Sequence, residues 1–141
     1  MFDKVLLPID LTYPESWDKA LPAALKCAGT GGEVHLLGIV HDLGSAMVAS
    51  FLPADFEKQA IARMQTALEE FQAKHLAGDP RVQLHVGHGH VPETILKVAR
   101  KLDADLIVMA SHPHGDLGTL LVGSNADKVV RHADRPVLVV R

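Results

Sequence analysis

Short apolar runs alternate along the chain with longer stretches in which apolar residues recur every three or four positions. The first run, Val5-Leu6-Leu7-Pro8-Ile9, has the length of a strand and stops at Asp10. Residues 16–28 place Trp17, Ala20, Leu21, Ala24, Leu25 and Ala28 on one side of a 3.6-residue repeat, which predicts a helix. Gly29, Gly31 and Gly32 end it, and Glu33–Val40 reads as a second strand. A longer helix is expected from Pro53 to His75, with Phe56, Ala60, Met64, Ala67, Leu68 and Phe71 as its buried stripe and Gly78-Asp79-Pro80 as its stop. Polar and apolar residues alternate in Arg81–Val86, the mark of a strand with one covered face. Ile95, Leu96, Ala99 and Leu102 predict a third helix over 92–102, and Asp105–Ala110 is a continuous apolar strand. Gly123–His132 and Pro136–Val140 supply the last helix and the last strand.

Five strands and four helices in strict alternation imply βαβ units with right-handed crossovers, and therefore a parallel sheet. The alternating strand at 81–86 suits an edge, while 5–9 and 105–110 suit the centre. The expected fold class is thus α/β, a three-layer sandwich around a five-stranded parallel sheet of order 3-2-1-4-5. That order reverses between strands 1 and 4, and ligands of such sheets bind outside the strands' carboxyl ends at the reversal. Attention falls on the segments after Ile9 and after Ala110. Val137–Val140 is apolar on both faces yet lands at an edge, and an uncovered apolar edge invites pairing. A homodimer through residues 137–140 is expected.

Composition adds exclusions. A chain of 141 residues, 48% hydrophobic and 22% charged, suits one domain over residues 1–141 and disfavours disorder. Its net charge of −3 lacks the basic footprint that nucleic acid demands. The lone Cys27 allows no internal disulfide. No apolar run has the length of a membrane span, and MFDKVLLPID lacks the basic start of a signal peptide. A cytoplasmic protein is expected.

Two stretches carry candidate chemistry. Gly123-Ser124-Asn125-Ala126-Asp127 opens the fourth helix, where free N–H groups and the positive dipole end suit phosphate oxygens. The same residues also fit a capping box, with Ser124 as cap and Asp127 three positions on. Asp10 faces the crevice and could bond a ribose hydroxyl or an adenine amino group; alternatively it begins a turn with Thr12 and Pro14. His85, in the strand, clusters with His88 and His90 past its end; His88, His90, His112 and His114 read as solvated loop side chains, because zinc wants three or four ligands in fixed geometry and the strand order keeps these loops apart. No metal site is expected. Phosphate-loop, dinucleotide and nucleophile-elbow motifs are absent. Only His112 lies near enough to the expected phosphate position to act as a base, so no catalytic residue is assigned.

Val5-Leu6-Leu7-Pro8-Ile9-Asp10, Asp105–His112, Gly123-Ser124 and Arg135-Pro136-Val137-Leu138-Val139-Val140-Arg141 together resemble the universal stress proteins, over essentially the whole chain. The resemblance implies the same 3-2-1-4-5 sandwich, of the adenine nucleotide alpha hydrolase type, dimerising through its last strand. Nucleotide-binding members carry G-x2-G-x9-G-[ST] after strand 4, a spacing that falls here on Ala110, Pro113, Gly123 and Ser124. The first two glycines are replaced; Pro113 also removes an N–H. Met109-Ala110-Ser111-His112 with Gly123-Ser124-Asn125 is similar to a small bacterial subgroup in which the Ala-Ser-His version accompanies ATP binding. In that pattern Pro8, Ile9 and Asp10 line the adenosine, with Ile39 and Val40 against the base. Met109, Ala110, His112 and Pro113 wall the ribose and phosphate path, and Gly123, Ser124 and Asn125 hold phosphates. Residues 41–52, with Met47, Val48, Phe51 and Leu52, cover the crevice or serve the dimer.

The implied function is a nucleotide-binding stress-response protein: a dimeric sensor or adaptor that holds ATP or AMP, with at most slow hydrolysis. Magnesium or manganese would ride on the phosphates, since the chain offers no carboxylate cluster for an ion. The alternative is a non-binding, dimeric protein-interaction module, which Ala110 and Pro113 favour. The protein partner is unidentified, and assembly beyond the dimer is left open.

Overall fold

The computed structural model describes residues 1–41, 50–111 and 123–141. Met47, Val48, His112, Pro113 and His114 lie outside the described residues. The strands are β1 (Lys4–Ile9), β2 (Glu33–Val40), β3 (Val82–His88), β4 (Leu106–Ala110) and β5 (Val137–Val140). Between them come a short 3-10 turn (Pro14–Ser16) and helices α1 (Ala20–Ala28), α2 (Phe56–His75), α3 (Val91–Leu102) and α4 (Ser124–His132). The sheet runs β3-β2-β1-β4-β5 with every neighbouring pair parallel, as the alternation predicts.

Alternate residues of each strand feed two cores. Val5, Leu7 and Ile9 of β1, with Val34 and Leu36 of β2 and Val108 of β4, pack against α1 and α2 through Ala24, Leu68 and Phe71. Leu6, Leu37, Ile107 and Met109 face the other way, against Ile95, Leu96 and Ala99 of α3 and Ala126 and Val129 of α4. Three layers follow directly from that alternation, because a parallel sheet buried on both faces needs apolar residues on both. Gly38 lets α2 sit close, since a Cβ there would meet Met64 Sδ at 2.7 Å. Gly87 does the same for α3, where a Cβ would lie 2.6 Å from Thr94 Cγ2.

Several expectations need correcting. The helix expected from residue 16 begins at Ala20; Pro14–Ser16 is a separate turn, and Asp18 turns its carboxylate onto the N–H of Lys19 (2.7 Å). Pro22 is tolerated inside α1 because it falls in the first turn, whose N–H groups have no helical partner anyway. Within α2, only Leu68 and Phe71 are buried; Phe56, Ala60, Met64 and Ala67 are half-buried. Its first turns reach the carboxyl edge of the sheet, where Glu57 Oε1 meets His88 Nδ1 at 3.3 Å. β3 continues to His88, so His88 is a strand residue rather than a turn one. Among the described residues, no helix is long and apolar enough to cross a membrane.

The β1–β2 ladder continues to Ile9 opposite Gly38, but the β1–β4 ladder stops at Leu6 opposite Ile107. Pro8, with no N–H to donate, lies beyond that last pair. The sheet therefore opens between β1 and β4 at its carboxyl end.

Candidate functional site

The opening is a cleft of about 1360 Å³. Nine of the residues expected there line it: Pro8, Ile9 and Asp10 from the end of β1, Ile39 from β2, Met109 and Ala110 from β4, and Gly123, Ser124 and Asn125 from the start of α4. Val40 is half-buried in the ladder opposite His88 and is not part of the lining. Apolar side chains of both helical layers, Met64 from α2 and Val91 and Ile95 from α3, complete the greasy part of the wall.

Asp10 makes the local turn that its spacing to Thr12 allows. Thr12 donates both its N–H (3.0 Å) and its Oγ1 hydroxyl (2.6 Å) to Asp10 Oδ1. Asp10 Oδ2 has no hydrogen-bond partner among the described residues. The main chain of Asp10 is closed by Ser16, whose Oγ accepts the Asp10 N–H (2.9 Å) and donates to the Asp10 carbonyl (2.8 Å). Ser16 is only 8% exposed, so this hydroxyl is a built part of the cleft floor.

On the opposite wall the capping box does not form. Gly123 occupies the cap position with extended backbone (ψ 150°) and no side-chain cap, and Ser124 is the first helical residue. Asp127 is engaged elsewhere, accepting from Arg131 Nε at 3.0 Å. The Ser124 hydroxyl has no partner among the described residues, and the first-turn N–H groups of α4 carry no side-chain cap beside it. A nine-residue helix thus presents an uncapped start to the cleft.

Sequence reasoning missed Ser16, because the 3.6-residue pattern runs on into α1 and made it look helical. It also missed Lys19 and Arg141, two cations on the lining, and Tyr13, Glu15, Asp18 and His41 on the rim. Nothing in their spacing singles these residues out; the topology brings them together. Among the described residues, no group of three or more side chains could hold a metal ion.

A family model described as the Universal stress protein family matches residues 1–141. Universal stress protein G of Salmonella typhimurium is 36% identical over 145 residues, spanning all of both chains. Among solved structures, universal stress protein UspA from Lactobacillus plantarum superposes with a TM-score of 0.73 at 22% identity, over 99% of this chain and 97% of that one. A universal stress protein solved in complex with cAMP gives a TM-score of 0.63 at 16% identity, over 99% and 97%. At these identities the two structures speak for the fold.

Proposed function

The chain belongs to the universal stress protein family, and from that premise we propose that it binds an adenine nucleotide in the cleft between β1 and β4. The observation that carries this reading is the uncapped start of α4: the Ser124 hydroxyl has no partner among the described residues and stands beside main-chain N–H groups suited to phosphate oxygens. Across the cleft, Asp10 Oδ2 is an acceptor suited to the neutral, donor-bearing part of the same ligand. The base lies against Ile9, Ile39 and Met109, an apolar wall that asks for a planar, weakly polar group. Binding of cAMP by one structural relative supports an adenosine-bearing ligand. A divalent ion, where present, is carried by the phosphates rather than by the protein.

Calorimetric titration of nucleotide-stripped protein with ATP and AMP, with and without magnesium, tests the reading. Micromolar ATP binding, about −8 kcal/mol, that weakens in both Asp10→Ala and Ser124→Ala is the expected result. No heat up to millimolar nucleotide would sink it and turn the search toward protein partners.

The same protein acts as a homodimer joined through the free edge of β5. That strand pairs only with β4 among the described strands, and Leu138 is 38% exposed on it. Light scattering on the wild type and on Val139→Lys should give a dimer and a monomer; a monomeric wild type would refute the interface.

A further inference from the structure

Among the described residues, Asp10 is held at every group it has except one. Its N–H and its carbonyl are both held by the single Ser16 hydroxyl, and the carbonyl also accepts the Tyr13 N–H at 3.0 Å. Its Oδ1 takes two donors from Thr12. With the backbone and one carboxylate oxygen tied, the direction in which Oδ2 points is settled before any ligand arrives. An ionised carboxylate only accepts, so Oδ2 receives a hydroxyl or amine and repels a phosphate. The uncapped start of α4 already offers the place for the anionic end.

Resting on the reading of the cleft as a nucleotide site, we propose that Ser16 is a positioning residue which, with Thr12, aims Asp10 Oδ2 at a ribose hydroxyl. The cleft is thereby selective for ribonucleotides over deoxyribonucleotides. Ser16 acts through Asp10 and not on the ligand, because its hydroxyl is committed on both its donor and its acceptor side. A preset acceptor costs no reorganisation on binding, which is why misplacing it erases discrimination rather than merely lowering affinity.

The test is calorimetric titration of the full chain with ATP, 2′-deoxy-ATP and 3′-deoxy-ATP. Wild type should bind at least one deoxy analogue ~10-fold more weakly than ATP, the range of a hydrogen bond to a charged group. In Ser16→Ala the ATP affinity should fall to that of the weaker analogue, while the analogue's own affinity stays put. Ser16→Thr, which keeps the hydroxyl, should restore the difference. Adding Ser16→Ala to Asp10→Asn should cost nothing further. Thr12→Val, at an exposed residue whose loss spares folding, should lower discrimination by a smaller factor. Equal weakening of ATP and both analogues in Ser16→Ala and in Thr12→Val would mean a structural role only and overturn the proposal. ATP binding with discrimination untouched in both variants would overturn it while leaving the nucleotide reading intact. A wild type that binds no nucleotide would bring both down.

Discussion

Two polar clusters adjoin this sheet, one just past the end of β1 and one on β2 and β3, and they end differently. At the carboxyl end, Asp10, Thr12 and Ser16 bond one another and leave one carboxylate oxygen without a partner among the described residues, on a side chain that lines the cleft. On the α3 side of β2 and β3, Glu33, His35 and His85 form a chain in which both ring nitrogens of the buried His35 are used. His35 Nε2 lies 3.0 Å from Glu33 Oε2, and His35 Nδ1 lies 2.7 Å from His85 Nε2, with the two rings stacked at 4.9 Å. Glu33 can only accept, so His35 carries its proton on Nε2 and takes the His85 N–H at Nδ1. His35 is 4% exposed. The comparison teaches that buried polarity alone does not mark a site. Unused bonding capacity beside a cleft does, and of these two clusters the Asp10 one lines it.

The largest effect expected from breaking this contrast belongs to the sealed cluster. His35→Ala leaves the His85 N–H without its partner and opens a cavity, so chemical denaturation should show a loss of about 3 kcal/mol. ATP affinity in that variant should stay within about twofold, since no ligand-facing group changes. Asp10→Ala should do the reverse. Nucleotide binding should weaken ~10- to 100-fold, as for a lost hydrogen bond to a charge, with the urea midpoint nearly unmoved because Ser16 still holds the main chain.

Acidity sharpens the same contrast. Burial first, then electrostatic repulsion from the neighbouring His35 ring and from Lys101, hold the His85 imidazolium below the ordinary histidine range. The unfolded chain, titrating near the usual ~6.5, therefore binds more protons than the folded one as pH falls, and stability must fall with it. The loss begins as pH drops through the unfolded value and levels off below the depressed folded one. Urea midpoints measured between neutral and mildly acid pH should decline in the wild type and decline less in His85→Gln; equal slopes would remove His85 as the cause. Glu33→Gln should have the smallest effect, about 0.5 kcal/mol, because its side chain is 43% exposed and solvent screens the pair. A thermal melt resolves it best at neutral pH, and a loss as large as that of His35→Ala would mean that Glu33 anchors the chain.

What could be read from the sequence follows the range of the interactions involved. The five strands and their order were legible because the two-residue and 3.6-residue periods are local and the crossover rule does the rest. The turn of Asp10 with Thr12 was legible for the same reason, since it spans two residues. His35 and His85 bond across fifty positions of sequence, and no spacing announces such a pair. The capping box at Ser124 shows the opposite failure: the local motif is present, yet the helix starts one residue earlier than the motif needs and the cap falls on Gly123. Ser16 was hidden because its neighbours keep the helical period while its hydroxyl reaches back six residues to Asp10.

The short β1–β4 ladder has a mechanical meaning. β3, β2 and β1 form one leaf and β4 with β5 another, joined along a seam that ends at Leu6 and Ile107 while the ladder beside it runs on. Asp10 belongs to the first leaf and Ser124, through α4, to the second. A ligand gripped by both is a clasp across the open end of a book: its binding is felt along the spine. Amide exchange at Leu7 and Val108, one residue in from the lining Pro8 and Met109, is where that stiffening should register.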